Sequence, residues 1–311
     1  MDGVPTTIIV ANKWQHIAVT SATAENASNL DIGRTTDSSY MEGRIDNLRL
    51  YDYALSQEQV SWNYDRGKPI GHFKLDECEG TTAYDSSGRG NNGTITIGSY
   101  GTNASAGTCD SGTGTEAWNN GTTGKYNYSL SFDGSDDYIN FGDEPDFEFP
   151  NDADTFTITA WVNRDTFNTN DVIVAKKNII TDTTEDGLYL VIASSDQVQF
   201  NIGDGSNACS ALGPKTITTS GWNHIAASLD SSENCTVYIN GVPGTSSPIT
   251  TTSGPDNALD FRIGSMSNSS NAFDGQIDDV KIFRYALTQE QILTDMNQGG
   301  ATRFGPSSGA P

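Results

Sequence analysis

Oxygen-bearing side chains gather at two places far apart in this sequence. Asp76 and Glu77 are followed by Asp85, Asn91 and Asn92 in the stretch "YDSSGRGNNGT", and Asp278 stands two hundred residues later in "GQIDDVKIF". Carboxylates and amide carbonyls are the ligands that a hard divalent cation takes. A buried ionised carboxylate also demands a cation or a hydrogen-bond donor, because burial disfavours its charge. By strand parity Asp278 goes with Val280 and Ile282, which places its carboxylate on the face those two bury; Asp46 shares parity with Leu48 and Leu50 in the same way. Glu77 shares parity with Phe73 and Leu75, which favours it over Asp76 as an inward ligand. The competing reading is structural: Asp278 caps a turn through backbone N–H groups, and the polar run is an ordinary Asx-rich loop.

Cysteine offers a second chemistry. The chain has Cys78, Cys109, Cys209 and Cys235, no C-x-x-C pair and only three histidines, which argues against zinc and for two disulfides. Their order suggests Cys78–Cys109 and Cys209–Cys235, although four cysteines permit three pairings. Paired cystines in turn imply an oxidising, extracellular setting. Trp118, in the Gly/Asn-rich run "GTEAWNNGTTG", has the aromatic face that stacks on a sugar ring; the alternative is a loop anchor on a sheet. His16 and His224 recur in W-x-H-I-A and read as packed strand residues.

The elements that must position these groups are strands. Gly numbers 32 and charged residues make up only 18 % of the chain, so short strands and turns are favoured over long helices. Eleven segments alternate apolar with polar residues between turn signals: 71–77, 128–134, 137–142, 155–164, 171–177, 187–194, 197–203, 222–230, 236–241, 260–264 and 275–284. They predict an all-β, two-sheet antiparallel sandwich. A formal net charge of -23 argues against nucleic acid and anionic membranes as partners and suits divalent cations and neutral sugars. No apolar run is long enough to span a bilayer, and the polar N-terminus is no signal peptide.

One segment occurs twice. "EGRIDNLRLYDYALSQEQV" (42–60) and "DGQIDDVKIFRYALTQEQI" (274–292) are identical at nine of nineteen positions. "NKWQHIAVT" and "SGWNHIAAS" precede them, but 18 residues separate Trp14 from Ile32 whereas 41 separate Trp222 from Ile263. Residues 1–67 therefore read as the C-terminal part of a domain whose complete version covers 70–298, with 299–311 a linker or tail. Each copy closes on a short helix, capped by Ser56 with Gln59 or by Thr288 with Gln291.

The ordered motifs "FKLDE", "SLSFDGSDDYINFG", "FTITAWVNR", "GWNHIAASLD", "TVYINGV" and "FDGQIDDVKIFRYALTQEQI" resemble the laminin-G-like jelly-roll family of the concanavalin A-like lectin and glucanase superfamily. The resemblance covers 71–297, and 12–60 in part. It implies a jelly-roll sandwich, secreted or displayed on a surface, with polysaccharide or extracellular protein ligands and often a structural calcium ion. It also makes the first strand a neighbour of the last, which would gather Asp76, Glu77, Asp85, Asn91, Asn92 and Asp278 around that calcium. "EPDFE" (Glu144, Asp146, Glu148) approximates the carboxylate strand of the superfamily's glucanases, yet Pro145 disfavours a central strand, so a solvated acidic connection is expected and no catalysis. The function read here is a non-catalytic binding or adhesion module. The alternative is a subunit of a surface filament or sheet, self-assembling through residues 1–67 with their open edges completed by a neighbour.

Overall fold

Alternation decides what these strands bury. In "FTITAWVNR" the side chains of Phe156, Ile158, Ala160 and Val162 point one way and are buried in a single apolar cluster, and Leu188, Leu190 and Ile192 do the same from the facing sheet. Each such side chain, fully removed from water, stabilises the fold by about 1.5–3 kcal/mol. The computed structural model describes residues 14–19, 31–34, 39–51, 54–55, 59–60, 63–64, 67–149, 155–167, 169–180, 186–204, 208–218, 220–248 and 257–297. The chain divides into two compact units, Met1–Tyr64 and Asp65–Pro311.

The second unit is the sandwich. Its strands in chain order are β1 (Gly71–Phe73), β2 (Thr82–Ala83), β3 (Gly93–Thr96), β4 (Leu130–Asp133), β5 (Tyr138–Asn140), β6 (Phe156–Arg164), β7 (Asp171–Lys176) and β8 (Asp186–Ile192). Then follow β9 (Gln197–Asp204), β10 (Ala208–Thr216), β11 (Asn223–Leu229), β12 (Asn234–Ile239), β13 (Val242–Pro243), β14 (Ser247–Pro248), β15 (Arg262–Ile263) and β16 (Asp274–Phe283). Two short helices join them, α1 (Ala117–Asn120) and α2 (Gln289–Met296). One eight-stranded sheet runs β1-β16-β6-β11-β12-β13, with β4 on β16 and β14 on β12; the other runs β10-β9-β8-β7-β15-β5-β3-β2. Every pairing between them is antiparallel. The first strand lies beside the last, with Phe73 opposite Val280.

All eleven expected strands are present, but their bounds and company differ. The first stops at Phe73, because Leu75 and Cys78 take positive φ (54° and 60°) and turn the chain out of the ladder. β10 escapes the alternation rule because Gly213 and Pro214 interrupt it; it survives as the outermost strand of its sheet, where a missing N–H costs no ladder bond. Asn240 and Gly241, both at positive φ, make the tight turn from β12 to β13 that their types predict. Thr288 caps α2: its hydroxyl accepts from Gln291 N–H at 3.3 Å, while Gln291 Oε1 accepts from Thr288 N–H at 2.8 Å. Ser56 lies outside the described residues.

The first unit is described in part. None of its described residues lies in a strand; Arg34 and Tyr40 form an isolated bridge, Met41 N–H donates to Gly33 O at 2.8 Å, and residues 59, 60, 63 and 64 are helical. Arg49 and Tyr51 donate to Asn63 Oδ1 at 2.7 and 3.3 Å.

Candidate functional site

The corner where β1 meets β16 carries the expected ligands, with one change of face. Asp278 pairs with Trp161, Lys281 with Thr159, and a bulge between them sets Asp279 (φ 49°) and Val280 against a single residue of β6. The extra residue breaks parity. Ile277, Val280 and Ile282 enter the core while Asp278 turns to the outer face with Trp161, which corrects the placement of its carboxylate beside Val280 and Ile282. Asp278 is nonetheless wholly buried, because the segment leading into β4 folds over it and Tyr126 N–H donates to its Oδ2 at 2.8 Å. Its Oδ1 is enclosed with no hydrogen-bond partner. Desolvation pushes the carboxyl up to about 7, with the negative charges of Asp279 and Asp76 adding to the rise.

Asp76 reaches the same segment, accepting from Asn127 Nδ2 at 3.2 Å and Tyr128 N–H at 3.1 Å. Glu77 accepts from Tyr84 N–H at 2.9 Å through Oε1, while its Oε2 is enclosed without a partner. Burial raises its carboxyl too, and Asp76 contributes to that. These residues open onto a cleft of about 390 Å³ that Glu79, Asp110 and Tyr128 also line, with the Cys78–Cys109 disulfide in its wall. Tyr128 is partly exposed at its rim.

A calcium ion is tested by these donors. Asp76, Glu77 and Asp278 offer hard oxygens, and two of the three keep an enclosed carboxylate oxygen that no protein group satisfies. Their oxygens do not converge, however: among the described residues the acidic set whose ligand atoms all lie within 4.8 Å of one another is Asp133, Asp136 and Asp137, so Asp76, Glu77 and Asp278 as they stand do not form a preassembled cation site. Asp85, Asn91 and Asn92 do not join them. Asp85 spends both oxygens on its own loop and on β1, accepting from the N–H groups of His72, Ser87, Gly90 and Asn91 and from Ser87 Oγ. Those bonds hold its carboxyl below the usual range against the opposing effect of burial. Asn91 donates to Ile70 O and Asp146, and Asn92 Oδ1 accepts from Asp85 N–H. This is the Asx-rich loop reading, and it takes these three residues out of the ligand set.

Trp118 is a correction. It lies in α1 with no exposed surface, and its Nε1 donates to Gly80 O at 3.0 Å, so it anchors a loop and offers no face to a sugar. The Cys209–Cys235 bond joins β10 to β12, and among the described residues no cysteine is free. The carboxylates of "EPDFE" do not line one strand face: Pro145–Phe147 is a turn of 3-10 helix, Asp146 meets Arg89 and Asn91, and Glu148 meets Lys176 at 2.7 Å.

Two clusters escape sequence reasoning. Asp133, Asp136 and Asp137 bring carboxylate oxygens within 4.8 Å of one another. They accept from the N–H groups of Gly98, Ser99, Tyr100 and Asn103, so they bind a loop of this same chain. A Cβ at Gly98 would stand 1.8 Å from Asp136, which only glycine avoids. Across the outer face of the first sheet, His72 contacts Asp279 at 2.7 Å, and Lys281 bridges Asp279 (2.8 Å) and Asp295 (2.9 Å). The "SDD" and "DDVK" runs were visible signals, but their partners come from distant segments.

Residues 133–293 match the family model described as the concanavalin A-like lectin/glucanases superfamily. Among solved structures, the binding domain of botulinum neurotoxin serotype G is similar with 16 % identity and a TM-score of 0.53, covering 75 % of this chain and 52 % of that one. The binding domain of Paraclostridial Mosquitocidal Protein 1 (14 %, TM-score 0.53, 75 % and 53 %) and the receptor binding domain of botulinum neurotoxin D (12 %, TM-score 0.51, 75 % and 53 %) are similar in the same degree. This chain spans about half the length of those domains, and at such identity the likeness is one of fold. No curated protein matches the sequence.

Proposed function

The chain belongs to the concanavalin A-like lectin/glucanase superfamily, and from that premise we propose that it is a non-catalytic, extracellular binding module for polysaccharide or protein, with a calcium ion at the acidic cleft that follows β1. The observation that carries this reading is an acidic, disulfide-walled cleft lined by Asp76, Glu77, Glu79 and Asp110, with one Glu77 oxygen enclosed and without a hydrogen-bond partner. A calcium ion there would be held by Asp76 and Glu77 of the cleft, with Asp278 close to Asp76, and would supply positive charge beside the 126–128 segment. Around it, carboxylates accept hydrogen bonds from hydroxyl groups and the Tyr128 ring offers an apolar platform at the rim, the combination that suits a neutral sugar. Two disulfides, a net charge of -23 and the absence of any helix long and apolar enough to cross a membrane among the described residues agree with display outside the cell.

The test is calorimetric and functional together. Calcium should raise the melting temperature of the chelated protein by several degrees and bind with 1:1 stoichiometry. Asp278→Asn should abolish both, and binding on a glycan array should fall with chelation and with Tyr128→Ala. A melting temperature indifferent to calcium removes the metal from the reading, and an array without a specific glycan removes the sugar.

A further inference from the structure

Lysine meets carboxylate at two buried places in unit 2, and the protons stand differently at each. Lys281 bridges Asp279 and Asp295, whose carboxyls are both held below the usual range despite burial, by His72 and Lys281 in one case and by His224 and Lys281 in the other. Both partners there are carboxylate anions. Lys176, the last residue of β7, has none of its side chain exposed, and its Nζ lies 2.7 Å from Asp143 Oδ1 and 2.7 Å from Glu148 Oε1 while donating to Leu259 O at 2.6 Å. These two carboxyls hydrogen-bond to one another and divide the roles: contacts with Lys176 and Glu148 hold Asp143 below the usual range, whereas burial lifts Glu148 to about 7. An ammonium beside a carboxylate anion makes only a salt bridge. Beside a protonated carboxyl, an amine can displace the hydroxyl.

We propose that Lys176 and Glu148 join in an amide cross-link that the fold forms by itself, with Asp143 as the base. Amine, acid and base are already in contact, and reactants held so behave as if present at about 10⁵–10⁸ M. Asp143 takes one proton from the ammonium, and the freed lone pair attacks Glu148 Cδ. The Nζ–Cδ bond forms, the Cδ–OH bond breaks, and the hydroxyl leaves as water with a second proton from the nitrogen. Asp143, nearly half exposed, then passes its proton to solvent. Atoms and charge balance without an oxidant or any further reactant. The unlinked protein, in which Glu148 still titrates, is the starting state. The product ties β7, inside the second sheet, to the 143–149 connection, whose carbonyls at Pro145, Asp146 and Glu148 accept from Arg284 just after β16. A covalent staple there holds one sheet to a segment already bonded to the end of the other, and reductant cannot open it. The inference does not depend on the cleft or its ligand.

The experiment keeps the full chain folded near neutral pH for several days, reduces it, and weighs it whole and after trypsin. The chain should be lighter by one water molecule, and residues 126–164 should appear joined to 165–177, because trypsin does not cut after an acylated Lys176. Fragment ions should place the bond between Lys176 and Glu148, with Lys281 unlinked. Lys176→Arg and Glu148→Ala should each restore the full mass, and Asp143→Ser should slow the loss of water at least tenfold. The wild-type mass is decisive by itself, whatever the variants do to folding. A folded wild-type chain of full mass, cut normally after Lys176, overturns the inference. A bond that maps to Asp143 in place of Glu148 overturns it equally, and an Asp143→Ser chain that links at the wild-type rate overturns the role of Asp143 as base.

Discussion

Lys176 enters the interior with none of its side chain exposed, and its ammonium is met by Asp143 and Glu148 at 2.7 Å each and by Leu259 O at 2.6 Å. The two carboxylates fare differently. Asp143, nearly half exposed, is held below the usual range by that cation, while burial of Glu148 lifts its carboxyl from 4.5 to about 7. The folded protein therefore keeps a proton on Glu148 between pH 4.5 and 7, where the unfolded chain has lost it. Stability falls as pH rises through that window. Glu148→Gln should flatten this slope, removing about 1–3 kcal/mol of pH dependence in urea denaturation measured from pH 4.5 to 7.5. An unchanged slope would show that Glu148 titrates normally. The acidity of "EPDFE" was legible in the sequence, but which carboxylate would be lifted was not, because Lys176 approaches from a strand 28 residues away from Glu148.

At the scale of elements, α2 is tied to the sheet by charge as well as by its apolar face. Asp295 accepts from Thr159 Oγ1 at 3.0 Å and faces Lys281 and His224, and the interactions with His224 and Lys281 hold its carboxyl down at about 2 despite burial. Asp295→Ala would strand Lys281 beside a single remaining carboxylate and leave His224 without its acidic neighbour. The expected cost is about 3 kcal/mol, with faster hydrogen exchange across Gln289–Met296; a cost under about 1 kcal/mol would make the helix a mere appendage. The capping box at Thr288 was readable from four residues, since it is local. The ionic tether was not, because Asp295, Lys281, His224 and Thr159 come from four elements whose adjacency is a matter of topology. The bulge at Asp279 shows the same limit: alternation predicted a strand correctly and placed one carboxylate on the wrong face of it.

For the whole molecule, the two units have unequal means of staying folded. Unit 2 has a continuous core between two sheets, and its disulfides span 31 and 26 residues. Loops of that length restrict the unfolded chain by about 3.5 kcal/mol each in the chain-entropy account. Reduction should therefore lower the denaturation midpoint of unit 2 markedly, and Cys209→Ser with Cys235→Ser should reproduce part of that fall. A midpoint indifferent to reductant would show that the sandwich is sufficient without its staples. Unit 1 contains no cysteine, and among its described residues Ile17, Val19, Ile32, Ile45, Leu48 and Leu50 are exposed.

By itself the sequence determined the class of fold, the eleven alternating strands, the turn at Asn240-Gly241 and the capped helix, and it suggested the pairing of the cysteines without choosing it. These depend on alternation, on residue-specific backbone preference and on order along the chain, all of which are local. Only the tertiary structure decided that Trp118 is an anchor, that Asp85, Asn91 and Asn92 serve their own loop, and that Asp76 and Glu77 line one cleft while Asp278 is buried against the Tyr126 N–H. Whether a polar atom is satisfied or left waiting depends on which distant backbone N–H comes to it, and no spacing in the chain records that.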